Sequence, residues 1–389
     1  MQILLLGVGL QGKAALYDLV RNPQVERVIA ADINHSDLNA FISSLHTDKV
    51  VPVALDVHAD GRVANLMKSV QAAIILLTPA LSIPMTRLAI KQGIHFIETS
   101  YATPEHKALG LEAAQKNIAI LPEFGLDPGI DLVLAGQAIQ ELDEVHELKV
   151  YGSGVPELAA ADNPLKYKVS WTFAGVLRAY QRSARLLASG QVIDLSPIEI
   201  FSSENTHIVD VESLGSMEAY PNGDAVRFLE IMGIEDTIQE AGRYTLRWPG
   251  HCAFWKKMVG LGFLDETPIK VDGAYISPRK FVHDLLLPQL QYQDGERDLV
   301  VVRVDASGIK DGHKKHLIYQ VIDWRDLDTG LFAMQRTVGF TASIGAQMIL
   351  RGDIQKRGLL SPITDIPAAV FFEELRQRGI VIQRQEQEW

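Results

Sequence analysis

Six short, largely apolar runs open the chain, at residues 3–6, 28–31, 50–54, 73–77, 96–98 and 118–121. They do not alternate with polar residues, so each needs cover on both faces, as strands of a parallel sheet do. Helical patterns lie between them at 13–20, 37–46, 62–69, 84–92 and 104–116. Strand and helix in strict alternation predict crossover connections and a doubly wound sheet. Punctuation agrees with that reading. Ser36 is placed to cap the second helix, Pro84 and Pro104 fall in first turns, and Gly93 follows a helix as a left-handed terminator would.

Beyond residue 125 the pattern changes. A helix is expected over 130–142, then strands at 147–151, 299–304 and 316–322, with 307–312 as a hairpin-type connection. The small-residue helix at 338–350 is expected to return to the first domain, and the polar stretch 383–388 to fray. The chain thus reads as α/β: a Rossmann-type doubly wound parallel sheet domain over 1–125, completed by 338–389, and an α+β substrate or dimerisation domain with a mixed sheet over 126–337.

Composition removes several classes of function. With 37 Lys+Arg against 48 Asp+Glu the formal charge is −11, a sign that repels phosphate backbones and anionic lipid, so nucleic acid and membrane surfaces are not expected partners. Cys252 is the only cysteine, and without a CxxC or HExxH pair no metal is expected. No apolar window approaches the roughly 18 residues of a membrane span, and the first strand begins too early for a leader, so cytoplasmic residence is the expectation.

Gly7-Val8-Gly9-Leu10-Gln11-Gly12 follows the first strand and opens a helix. Such a turn lets Gly7, Gly9, Leu10, Gln11 and Gly12 bring backbone N–H groups to a pyrophosphate at a helix N-terminus. Asp32 ends the second strand about 20 residues past Gly12, where a carboxylate accepts bonds from ribose hydroxyls. It would repel a 2′-phosphate, and Ile33-Asn34-His35 offer no Arg or Lys, so NAD is favoured over NADP. Asp56 and Thr78 follow the third and fourth strands at the edge where such folds bind ligands, though each serves equally well as a local cap or turn residue. Thr99-Ser100-Tyr101 brings three hydroxyls to the same edge. Asp127 and Asp131 flank Pro128-Gly129 before a helix; they could hold an amine and abstract its proton, or cap the helix, and spacing alone leaves both open.

Together with Asn163-Pro164-Leu165, Ser170-Trp171, Gly125-Leu126-Asp127-Pro128-Gly129 and Thr245-Leu246-Arg247-Trp248-Pro249-Gly250-His251, these motifs resemble the saccharopine dehydrogenase family, and within it the L-lysine 6-dehydrogenases. The resemblance spans essentially the whole chain. It implies that Thr99, Ser100, Tyr101, Leu126, Asp127 and Pro128 contact nicotinamide cofactor, with Ser100, Tyr101 and Asp127 also touching an amino acid substrate. Asp56-Val57 would face the adenine, and Arg247 would clamp the substrate carboxylate. Three departures stand out: Gly223 and Ala174 replace arginines of the saccharopine-binding pattern, and Asp32-Ile33-Asn34 replaces an NADP-selecting arginine. Arg227, four residues past Gly223, could compensate in part as a substrate-binding residue. A homodimer or higher homo-oligomer is expected.

The reading that follows is NAD-dependent oxidative deamination of the ε-amine of L-lysine to 2-aminoadipate 6-semialdehyde. Arg247 would hold the carboxylate, with Asp127 and Tyr101 as the catalytic pair. Its rivals are a saccharopine dehydrogenase or another amine-forming reductase and, from a different class, a non-catalytic NAD-binding redox sensor. His251 beside the clamp could shuttle protons, but a satisfied structural histidine is the commoner case.

Overall fold

Four consecutive aliphatic residues, Ile3 to Leu6, are completely buried, and they form β1 (Gln2–Leu6) at the centre of a parallel sheet. The computed structural model describes residues 1–58 and 61–388. It divides into two compact units, residues 1–136 with 335–381, and 137–334 with 382–389.

In the first unit β1 is followed by α1 (Leu10–Arg21), β2 (Arg27–Asp32), α2 (His35–Leu45), β3 (Val50–Ala54), α3 (Arg62–Met67), β4 (Ala72–Ile75), α4 (Ser82–Gln92), β5 (His95–Glu98), α5 (Pro104–Gln115), β6 (Ala119–Leu121) and α6 (Ile130–Gln140). The sheet order is β6-β5-β4-β1-β2-β3, extended beyond β6 by the two-residue strand Gly358–Leu359, and every pair is parallel. Strand order therefore reverses between β1 and β4, which opens a crevice at their carboxyl ends. β3 departs from the fully covered pattern; it is the sheet edge, and three of its five residues are exposed.

Local details correct one expectation and match others. The cap of α2 is Asn34, whose side chain accepts from the Asp37 amide at 3.2 Å; Ser36 lies inside the helix and donates to Asn34 at 3.0 Å. Pro104 opens α5 behind a capping box from Thr103 and His106, and Gly93 takes the left-handed conformation (φ 72°) after α4. The long helix Ala333–Arg351 is anchored to α1 through Asp18, which accepts from Ser343 at 2.6 Å, Gln347 at 2.9 Å and Arg378 at 2.6 Å. A carboxylate that deeply buried requires such company.

The second unit is built on a nine-stranded mixed sheet. At its centre β7 (Glu144–Pro156) pairs parallel with Glu240–Arg247 and antiparallel with Asp298–Lys310. Strands Asp298–Lys310 and His313–Trp324 form one long hairpin. The connection expected over 307–312 shrinks to Asp311-Gly312, both at positive φ, the Asp-Gly signature of a tight turn. The stretch 383–388 does not fray: Ile382–Glu388 is a strand paired antiparallel with His313–Trp324. It adds to the sheet of the second unit instead of completing the first. Among the described residues no helix is long and apolar enough to cross a membrane.

Candidate active site

Gly7 sits at φ 88°, and a Cβ there would lie 2.5 Å from the Leu76 carbonyl oxygen; at Gly12 it would lie 2.1 Å from the oxygen of Gly7. Neither position accepts a side chain. Around Gly9 a Cβ would meet nothing within 4 Å, and Gly9 and Leu10 are exposed. The first turn of α1, through Leu10, Gln11 and Gly12, thus presents its unpaired amides on an open side, as a pyrophosphate requires. Asp32 braces the turn: one oxygen accepts from the Val8 amide at 2.6 Å, the other from Asn34 at 2.8 Å. The nearby Lys13 is held by Asp37 at 2.9 Å. These features fit a dinucleotide at this turn.

Other edge residues are more ordinary. Asp56 and Val57 are half-buried, and Asp56 closes a local turn by accepting from the His58 amide at 2.9 Å. Thr78 is exposed and leads into the one-turn helix Pro79–Leu81 without a side-chain capping bond.

Thr99, Ser100 and Tyr101 leave the end of β5, all half-buried. The Glu98 and Ser100 carbonyls accept from Phe124 at 3.0 Å and Glu123 at 2.9 Å, which fixes this loop against the segment after β6. In that segment Gly125 donates to the Pro128 carbonyl at 2.9 Å across a cis Asp127-Pro128 bond, and Leu126 is buried. The two carboxylates separate here. Asp131 is fully buried and accepts from the Gly129 amide at 2.7 Å. Asp127 remains half-buried and accepts from the Tyr101 hydroxyl at 3.4 Å. Asp131 is therefore taken up by the backbone at the start of α6, whereas Asp127 meets Tyr101.

In the second unit, Arg247 ends its strand almost wholly buried, with its guanidinium 5.2 Å from the Tyr167 ring centre. One guanidinium nitrogen donates to the Leu246 carbonyl at 2.9 Å. Burial works against its charge, but the phenol oxygens of Tyr220, Tyr180 and Tyr167 outweigh that and hold the proton on. Sequence reasoning missed this aromatic cage. Asn163 shapes it by accepting from Leu165 and Tyr167 and donating to the Tyr167 carbonyl at 2.8 Å. His251 is no shuttle: it is buried, bonded to the Tyr180 hydroxyl at 2.9 Å, and driven well below the usual imidazole range by burial and by Arg247. Cys252 packs in the same cluster, its thiol pushed up by burial and by Glu218.

Within this cage Arg247 Nε, the Tyr167 hydroxyl and Trp255 Nε1 are buried and make no hydrogen bond to protein. All three can donate. Buried polar groups are almost always paired, so the unmet Nε of a buried guanidinium, with two further unmet donors in the neighbouring aromatic cluster, suits an anion. Gly223 and Ala174 supply no further cation here, and a Cβ on Gly223 would meet nothing within 4 Å. Arg227 is exposed, its guanidinium 4.8 Å from the Phe228 ring centre. Arg185, which donates its amide to the Gly223 carbonyl, is paired with Asp194 and Asp224.

Two family models cover these units, a saccharopine dehydrogenase NADP binding domain over residues 3–121 and a saccharopine dehydrogenase C-terminal domain over 125–380. The chain belongs to the saccharopine dehydrogenase family. Among saccharopine dehydrogenase relatives, the mitochondrial alpha-aminoadipic semialdehyde synthase of Bos taurus is 26% identical, over 98% of this chain and 47% of that protein. The chain spans about half the length of such synthases. A saccharopine dehydrogenase (NADP+, L-glutamate-forming) of Pyricularia oryzae is 25% identical over 97% of this chain and 96% of its own length. The apo saccharopine dehydrogenase (L-Glu forming) of Saccharomyces cerevisiae has the same fold, with a TM-score of 0.86 at 24% identity over 99% of each chain. The glycine turn and Asp32 both lie within the residues that match the nucleotide-binding domain model.

Proposed function

We propose that the protein is an NAD-dependent dehydrogenase that oxidatively deaminates the ε-amine of L-lysine to 2-aminoadipate 6-semialdehyde. The observation that carries this reading is the anion clamp, Arg247 with its unmet Nε beside two further unmet donors, and no arginine at positions 223 and 174. Saccharopine carries a second dicarboxylate arm, and burying those charges without cations costs several kcal/mol per ion. Lysine has one carboxylate, which a guanidinium fork matches.

Arg247 is assigned the α-carboxylate, and Tyr101 and Asp127 the amine. An ammonium has no lone pair with which to expel a hydride, and lysine's side chain has an unperturbed pKa of about 10.4, so Asp127 takes a proton first. Bound nicotinamide would supply the hydride acceptor. Water then adds to the imine and ammonia leaves. NAD is preferred on this reading because Asp32 stands at the ribose end and Lys13 is already held by Asp37.

Saccharopine oxidation is the second reading, favoured by the names of the relatives and by Arg227 on the same loop as Gly223. A side-by-side assay with NAD at alkaline pH decides. Lysine oxidation, rising as its amine deprotonates, is expected to exceed saccharopine oxidation. The reverse order overturns the assignment, and tight NAD binding without turnover on any amine supports the redox-sensor reading.

A further inference from the structure

β5 ends in a glutamate that the pattern of apolar strands gives no reason to expect. Glu98 is 2% exposed, and its Oε1 accepts from the Ser82 hydroxyl at 2.7 Å and from His106 Nε2 at 2.9 Å. His106 is fully buried. Its other nitrogen, Nδ1, accepts from the Thr103 amide at 3.0 Å, so the proton resides on Nε2, facing the carboxylate. One imidazole therefore joins the last residue of β5 to the first residue before α5. The intervening loop, residues 99–102, carries Tyr101 and its contact to Asp127.

Packing alone does not call for this arrangement. A buried carboxylate and imidazole are expensive to desolvate, and apolar residues of similar volume commonly serve stability as well or better. What the pair does that apolar residues cannot is hold both ends of one loop at fixed hydrogen-bond distances. The carbonyls of Glu98 and Ser100, bonded to Phe124 and Glu123, fasten the loop's other side. Tyr101 is thereby left with little freedom to leave Asp127.

We propose that Glu98 and His106 are positioning residues that clamp the loop 99–103 and hold the Tyr101 hydroxyl against Asp127. This rests on the preceding reading only in taking Tyr101 and Asp127 as the groups that handle the amine. The test uses the full chain with His106→Phe, which keeps a buried ring and removes both nitrogens. Hydrogen-exchange mass spectrometry should show the peptide over 99–105 exchanging at least about 10-fold faster, with β4 unchanged. Turnover should fall about 10- to 100-fold with KM for NAD nearly constant, and the fall should vanish in a Tyr101→Phe background. His106→Gln, which restores a donor to Glu98, should recover part of both effects, and it serves as the primary variant if His106→Phe does not fold. Unchanged exchange overturns the clamp, and so does an equal loss of turnover in both backgrounds. If the wild-type protein oxidises neither lysine nor saccharopine, the functional reading fails while the exchange measurement still decides the clamp.

Discussion

Asp127 and Asp131 stand four residues apart, yet one carboxylate meets a tyrosine hydroxyl and the other is sealed against the Gly129 amide. Asn substitutions should separate the two roles. Asp131→Asn weakens a buried charge-assisted bond and should cost about 1–3 kcal/mol of stability, read from urea midpoints. Asp127→Asn should leave stability within about 0.5 kcal/mol and lower turnover about 100-fold or more. Swapped outcomes would reverse the assignments.

Arg247→Lys should weaken substrate binding far more than NAD binding. A point charge cannot reproduce the fork or satisfy Nε, and a bond to a charged group is worth about 1.5–3 kcal/mol, roughly 10- to 150-fold in affinity. Calorimetry with each ligand separately checks this. Equal losses for substrate and NAD would assign Arg247 to the fold.

Cofactor choice should turn on Asp32. Asp32→Ser with Ile33→Arg removes the repulsion and adds a phosphate partner at a position 74% exposed, so the preference for NAD over NADP should narrow or invert. Placing the arginine at Asn34 instead should act similarly on preference but lower stability by about 1 kcal/mol, because Asn34 caps α2. Comparable use of both cofactors by the wild-type protein would defeat the Asp32 argument.

His95 should make stability depend on acid. Burial, and secondarily Arg357, lower its pKa from 6.5 to about 4, while Nδ1 accepts from the Ala119 amide at 3.0 Å. The folded state binds the proton less well than the unfolded chain, so stability is full above pH 6.5 and declines as the pH falls toward 4. Allowing for partial solvent exposure, the loss should be about 2 kcal/mol. His95→Asn, which keeps an acceptor without a titration, should show that much less decline between pH 7 and 4; an identical decline would remove His95 as the cause.

The first unit was legible because both of its signals are local: unbroken apolar runs such as Ile3 to Leu6, and glycines at fixed offsets after β1. Which of Asp127 and Asp131 is sealed in was not, since spacing treats them alike and only burial separates them. Ile382–Glu388 misled because it is an edge strand of mostly Gln, Arg and Glu whose stability comes from ladder bonds to a strand roughly 60 to 75 residues earlier. The cage around Arg247 draws Tyr167, Tyr180 and Trp255 from distant segments, and Glu98 with His106 face each other only after the chain turns from β5 into α5.

That polar edge strand has a consequence for how the chain reaches its native state. Neither unit is a continuous stretch of sequence: the first takes back residues 335–381, and the second takes back 382 onward. During synthesis both must therefore wait for residues beyond 335 before they can close, so domain-by-domain completion behind the ribosome is denied to this chain. Until Ile382–Glu388 arrives, the outer side of His313–Trp324 is an unpaired edge, open to any other extended segment nearby.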